Sequence, residues 1–303
     1  MDYVLQTNRL SKNYGGKLAV DNVSLNVKKG DIYGFIGQNG AGKTTLMRMV
    51  CGLATPTSGD ITLFGSRNLT NQRRKMGATI ENPALYPTMT ATENMEAQRI
   101  MLGIKDKKMC VELLELAGIS GTGKKKAKDF SLGMKQRLML ALSLMGDPQF
   151  LVLDEPTNGL DPVGIKETLE FLQRLNEAKG TAILVSSHIL GELEKIATRY
   201  GVISNGKMVD EFSADELSIR CGKNLLISTD DPQKTEGIVK KMLSDVHISR
   251  TPENAIRIKG CIEEAGRINQ ALVESGITVN ALVPEGERLE DYFLRLMGGV
   301  AYA

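Results

Sequence analysis

Two short stretches carry residues whose types and spacing could do chemistry. The first is "GQNGAGKT", Gly37 to Thr44, which fits the pattern G-x-x-x-x-G-K-[ST]. Gly37, Gly40 and Gly42 let the backbone curl until successive N–H groups face one anion. A helix expected to begin near Lys43 turns its positive dipole end to the same point. Lys43 supplies a point charge for β- and γ-phosphates, and the Thr44 hydroxyl suits Mg²⁺. Gln38, Asn39, Ala41 and Thr45 complete the stretch as candidate nucleotide contacts. The second stretch, "FLVLDEP", brings Asp154 and Glu155 to the end of an apolar strand, where ligands of open α/β sheets bind. Asp154 suits Mg²⁺ binding, and Glu155 suits polarising an attacking water as general base. An acidic pair after a strand is often only a helix cap. Beside a phosphate cradle, the catalytic reading is favoured.

These residues need a scaffold, and the chain supplies the signals for one. The first two-thirds alternate short β-like runs with helical stretches, which indicates an α/β sheet. "DIYGFIG" reads as the strand entering the glycine-rich turn and "GKTTLMRMVCGL" as the helix leaving it. "FLVLD" and "TAILVSS" are continuously apolar, as strands of a buried sheet are. Between Asn82 and Gly146 helical patterns dominate: "ATENMEAQRIML", "KKMCVELLELAG" and "GMKQRLMLALSLMG". They read as a helical block inserted into the α/β core. A boundary is expected near "SADELSIRCGK". Beyond it the order strand, helix, strand, strand, helix, strand matches a small ferredoxin-like α+β unit, with "LEDYFLRLM" as a last helix. The expected organisation is residues 1–213 for the nucleotide unit, with its helical subdomain about 82–146, and 214–303 for an accessory unit.

Composition excludes several classes. Charged residues make up 24% and the net charge is +2, so nothing argues for nucleic acid as partner. The four cysteines form no CxxC or Cys/His cluster, which leaves a zinc site or disulfide framework unsupported. The N-terminus has no charged-then-apolar signal pattern. The longest apolar run, "LMLALSLMG", is far short of the ~20 residues that span a bilayer. A soluble, cytoplasmic chain is expected, reaching a membrane only through a partner. The lysine run Lys124 to Lys128 reads as a solvated face.

"FSLGMKQR", Phe130 to Arg137, distinguishes among nucleotide-binding proteins. Ser131 and Gly133 at a helix start offer a hydroxyl and free N–H groups, a second anion site. One phosphate cradle plus a separate phosphate-binding helix end suggests two chains sharing one nucleotide. The chain resembles the ATP-binding cassette (ABC) ATPases of membrane transporters, with "SLGMKQ" in place of their signature motif. The resemblance runs over roughly residues 2 to 213. It implies three further site residues. Asp161 in "NGLD" matches the D-loop, His188 in "LVSSHIL" the switch histidine at the γ-phosphate, and Tyr14 in "KNYGG" the ring that stacks on adenine. It also implies ATP with Mg²⁺, a homodimer of ATP-binding domains, and a separate membrane permease that holds the ATPase on the inner face of the cell membrane. A GTPase would need N-K-x-D, which is missing. A cassette of DNA repair would carry a heptad insertion or a basic groove. An importer ATPase, another exporter, or a soluble cassette without a permease stays open.

One position departs from the family pattern. Most members carry a glutamine about forty residues past the phosphate cradle; in "KMGATIENPALYPTMTATENM" that residue is Glu81. A carboxylate only accepts hydrogen bonds and carries charge. Beside Asp154, Glu155 and a triphosphate, each added like-charge pair costs about 3 kcal/mol at ~5 Å and a dielectric near 20. Glu81 is therefore expected to share Mg²⁺ or a bridging water, or to take a proton. "IENPALYPTMTATENM" resembles the ATPases of bacterial exporters for lantibiotic immunity and bacitracin-type resistance, which share this glutamate and a C-terminal appendage.

Overall fold

The computed structural model describes residues 3–81, 85–221, 224–243, 246–286 and 289–296. Asn82 in the Glu81 segment, Lys223 in the expected boundary and Met297 of the last helix lie outside the described residues. The chain divides into two compact units, Met1–Ser213 and Ala214–Ala303.

In the first unit, β1 (Tyr3–Tyr14), β2 (Lys17–Val23) and β3 (Asn26–Lys28) form an antiparallel sheet, which a later strand, β5 (Ser58–Leu63), joins along β1. β4 (Ile32–Ile36) leads through the glycine-rich loop into α1 (Lys43–Cys51), then β5 (Ser58–Leu63), α2 (Leu69–Arg73) and β6 (Met76–Thr79). The helical block follows as α3 (Ala91–Met101), α4 (Lys108–Leu116) and α5 (Leu132–Ser143). The chain returns with β7 (Phe150–Leu153), α6 (Pro162–Lys179), β8 (Ala182–Ser187), α7 (Leu190–Leu193), β9 (Arg199–Ser204) and β10 (Lys207–Ser213). A six-stranded sheet results, in the order β10-β9-β4-β8-β7-β6. Its pairs are parallel except β9 with β10.

β4, β7 and β8 are buried along their whole length, which explains their mostly apolar sequences. Leu46, Met47, Met49 and Val50 of α1 share one core with Phe35, Phe150, Val152 and Leu184 of the parallel sheet and Leu5, Leu10 and Leu63 of the antiparallel one. Each such side chain contributes roughly 1.5–3 kcal/mol by leaving water. α1 is thus fixed from both sides, and so is the loop at its start. Gly77 on β6 lies against α5 so closely that a Cβ would sit 1.8 Å from the Ser143 carbonyl oxygen. Gly77→Ala should therefore lower stability by about 1–3 kcal/mol or more, read as a shifted urea midpoint. An unshifted midpoint would contradict this packing.

The helical block is tied to its entry loop. Thr90 and Glu93 form a capping box at the start of α3. Asn94, 2% exposed, accepts from the Tyr86 N–H and donates to the Tyr86 and Thr90 carbonyls. The Thr90 backbone N–H, with Lys126 beside it, holds the Glu93 carboxyl below its usual range.

The second unit runs α8 (Ala214–Arg220), β11 (Asn224–Thr229), α9 (Pro232–Met242), β12 (Ile248–Arg250), β13 (Ile256–Lys259), α10 (Ala265–Glu274), β14 (Val279–Glu285) and α11 (Leu289–Leu296). Its sheet has the order β12-β13-β11-β14 and is antiparallel throughout. From β11 to β14 its elements run β-α-β-β-α-β. Leu225, Ile227, Ile256 and Ile258 face Val239, Ile268 and Leu272 in a core of its own. Burial pushes the Cys51 thiol up to about 12.

Candidate functional site

The site forms at the carboxyl ends of β4, β7 and β8, which run side by side with β8 in the middle. The loop from Gly37 to Gly42 needs its glycines for definite reasons. A Cβ on Gly37 would lie 2.5 Å from the Ile203 carbonyl oxygen. Gly42 has φ +111°, and its Cβ would meet the Ala19 carbonyl oxygen at 2.5 Å. No side chain caps α1 at Gly42, so its first N–H groups stay available to an anion. Gln38, Asn39 and Gly40 are exposed, Ala41 is buried, and Thr44 and Thr45 begin the helix half-buried.

Lys43 is 4% exposed. Its ammonium curls back over the loop, donating to the Gly37 carbonyl at 2.6 Å and the Gln38 carbonyl at 3.3 Å. It also meets Glu155 Oε1 at 3.2 Å. The other oxygen of Glu155 lies 3.0 Å from His188 Nδ1. One carboxylate therefore links the cradle lysine to the histidine beyond β8. Glu155 has φ +46° and Glu81 has φ +57°. A non-glycine residue in this left-handed region stores about 1–3 kcal/mol of strain, a cost met mostly at functional sites.

The Thr44 hydroxyl donates to Asp154 Oδ2 at 2.6 Å. Having given its proton to Asp154, that hydroxyl can offer only lone pairs elsewhere. A hydroxyl and a single carboxylate suit Mg²⁺, which takes one or two carboxylates and completes its shell with water and substrate phosphate. Thr44 and Asp154 are the residues that could hold it. The Glu81 carboxylate pairs with the Arg48 guanidinium on α1, one turn beyond Thr44. Among the described residues no three acidic, histidine or cysteine side chains converge as a metal cluster.

The remaining candidates are spread around this centre. Tyr14 ends β1, 49% exposed, with the Lys12 ammonium 4.9 Å from its ring centre. Ser131 caps α5, its hydroxyl accepting from the Met134 N–H at 3.3 Å. Gly133 lies in the first turn, where an added Cβ would make only an ordinary 3.6 Å contact with Leu160. Asp161 is the N-cap of α6 and accepts from the Gly164 N–H at 3.0 Å, so it already has a structural role.

Over its whole length the chain is similar to a curated protein. It is 40% identical, over 303 residues and 99% of both chains, to the bacitracin transport ATP-binding protein BcrA of Bacillus licheniformis. The chain belongs to the ABC transporter ATP-binding proteins. The ABC transporter family model matches residues 20–158 of this ABC ATPase, from β2 to the loop after Glu155. The lantibiotic transport ATP-binding protein SrtF of Streptococcus pyogenes is 42% identical over 212 residues, 70% of this chain and 92% of its own. Among solved structures, a dimeric post-hydrolysis ATP-binding cassette bound to ADP and Pi superposes with TM-score 0.65 at 26% identity, covering 69% of this chain and 98% of that one.

Several residues of this ABC ATPase site were not singled out in the sequence. Ser186 Oγ bonds both Asp154 and the Glu155 N–H. Glu192, 8% exposed, accepts from the Thr157 hydroxyl at 2.6 Å, and Ser187 holds the Ile189 backbone. These contacts join the loop after Glu155 to the loop carrying His188. Serines at a strand end give no sequence signal of what they will face. Arg48 was findable only in part, as a cation on the helix that leaves the cradle.

Proposed function

We propose that this ABC ATPase powers a separate membrane permease that exports a peptide antibiotic of the bacitracin or lantibiotic type, giving resistance or immunity. The full-length similarity to the bacitracin transport ATP-binding protein carries the reading of the cargo. Similarity to the lantibiotic transport protein supports the same class. No helix among the described residues is long and apolar enough to cross a membrane, which agrees with an ATPase held on the inner membrane face by its permease.

In the proposed mechanism, two copies pair head to tail. The Gly37–Thr45 loop of one faces Ser131 and Gly133 of the other across ATP. Tyr14 stacks on adenine, since a flat ring buries the base without reading its edges. Lys43 exchanges its carbonyl and Glu155 partners for the β- and γ-phosphates. Mg²⁺, held by Thr44 and Asp154, would neutralise phosphate charge as the bond to the γ-phosphate breaks. Glu155 then accepts the proton of the attacking water, and His188, released from the carboxylate, donates its ring N–H to the γ-phosphate. Asp161 lies at the pairing surface while capping α6. Loss of the γ-phosphate bridge lets the pair open.

The stroke passes to the permease through the Glu81 segment and the helical block, whose Tyr86, Ile100, Met101 and Leu102 are exposed apolar side chains. Replacing Glu81 with Gln or Ala frees Arg48 but leaves the cradle intact. ATP affinity should change less than about threefold, since the lost pair is half exposed, while transport falls. Full transport with Ala at 81 would exclude the coupling role. We assign the second unit to interaction, with its own copy or the permease. The lantibiotic transport relative, matched over 92% of its length by 70% of this chain, has no room for the C-terminal appendage expected of that group, which supports an accessory role.

The test is resistance. A sensitive host given this chain with its cognate permease should survive raised bacitracin or lantibiotic. Survival should vanish with Glu155→Gln. An unchanged inhibitory concentration for every peptide antibiotic, with ATPase and permease both present, would overturn the cargo.

A further inference from the structure

We propose that Ser186 is a positioning residue that sets the Asp154 carboxylate and the Glu155 backbone with one hydroxyl. Ser186 is the fifth residue of β8 and is completely buried. Its neighbour Val185 pairs with Leu153 of β7, which sets Ser186 level with Asp154 across the ladder. Its hydroxyl donates to Asp154 Oδ1 at 2.6 Å and accepts from the Glu155 N–H at 2.8 Å. A hydroxyl has one proton, so the direction of the chain is fixed: the Glu155 N–H donates to Ser186, and Ser186 donates to Asp154.

Two consequences follow. Asp154 receives one hydroxyl on each oxygen, Thr44 on Oδ2 and Ser186 on Oδ1. Its plane is locked between the two hydroxyls. Glu155, at φ +46°, sits in a conformation its own side chain disfavours. The bond from its N–H to Ser186 helps hold that turn, which aims the carboxylate between Lys43 and His188. No hydrocarbon side chain could satisfy both partners in a fully buried position. Removing groups that orient metal ligands typically weakens metal binding or activity 10–100-fold.

The inference rests on the reading of Asp154 as a metal-holding residue, so the test separates the two. Mn²⁺ is titrated by its paramagnetic resonance signal into the full chain with a non-hydrolysable ATP analogue. Ser186→Ala should weaken Mn²⁺ about 10–100-fold, with analogue binding in chelator unchanged. Ser186→Thr, which keeps the hydroxyl, should restore most of the affinity. Wild-type Mn²⁺ affinity in folded Ser186→Ala overturns the inference, as does Ser186→Thr being as weak as Ser186→Ala. If the alanine variant does not fold, Ser186→Cys replaces it, with a similar volume but a weak donor, and wild-type Mn²⁺ affinity there overturns the inference equally. Wild-type affinity in Asp154→Asn would remove the metal reading itself, and this proposal with it.

Discussion

The Glu155→Gln protein should bind ATP about as well as wild type and hydrolyse it about 10²–10⁴-fold more slowly, the range that a positioned general base supplies. The change is nearly isosteric and keeps an acceptor for Lys43, 3.2 Å away. The backbone N–H that meets Ser186 is untouched. What disappears is basicity: an amide cannot take a proton from water at neutral pH. Removing a negative charge beside the cradle should, if anything, help a triphosphate bind. With hydrolysis blocked, the γ-phosphate bridge persists, and ATP should drive the chain into dimers that size exclusion can count. Phosphate release within a few-fold of wild type would move the base elsewhere.

Gly133→Asp should lower turnover by about 10²-fold or more, the scale of losing one preorganised anion contact, without destabilising the chain. The argument rests on what surrounds Gly133. A Cβ there meets Leu160 at an ordinary 3.6 Å, and the first turn of α5 contains no acidic residue. An acid in the first turn of a helix is favourable by roughly 0.3–1 kcal/mol, and leaving glycine adds about 0.5–1 kcal/mol more. Within one chain the substitution is thus neutral or stabilising. Only a bound phosphate facing this turn makes a carboxylate harmful. Unchanged turnover would remove the signature helix from the site; an equal loss of thermal stability would make the effect structural.

Much of the site could be read without coordinates, because backbone-imposed chemistry leaves a sequence trace. Only glycine fits Gly42 at φ +111° against the Ala19 carbonyl. β7 is apolar and buried along its whole length, so Asp154 and Glu155 directly after it stand out as a break in pattern. The three helices of the inserted block follow their periodicity within a few residues. What escaped was set by tertiary contact. Glu81 was visible as an odd charge, yet its partner Arg48 lies 33 residues away on another element. Ser186 looked like any strand residue. The antiparallel sheet around β1 gave little warning, since residues such as Gln6, Asn8 and Lys12 interrupt its apolar alternation.

The most direct measurement of the sharing of ATP between two chains is complementation. Protein carrying Lys43→Ala lacks a working cradle, and protein carrying Gly133→Asp lacks a working signature turn. Each alone should be nearly inactive. In a mixed pair, the intact cradle of one faces the intact signature turn of the other, so one of two sites is whole. An equimolar mixture, dissociated and reassembled, should recover up to about a quarter of wild-type ATPase, the yield of random pairing into a two-fold dimer. A mixture no more active than the sum of its two components would contradict the shared site.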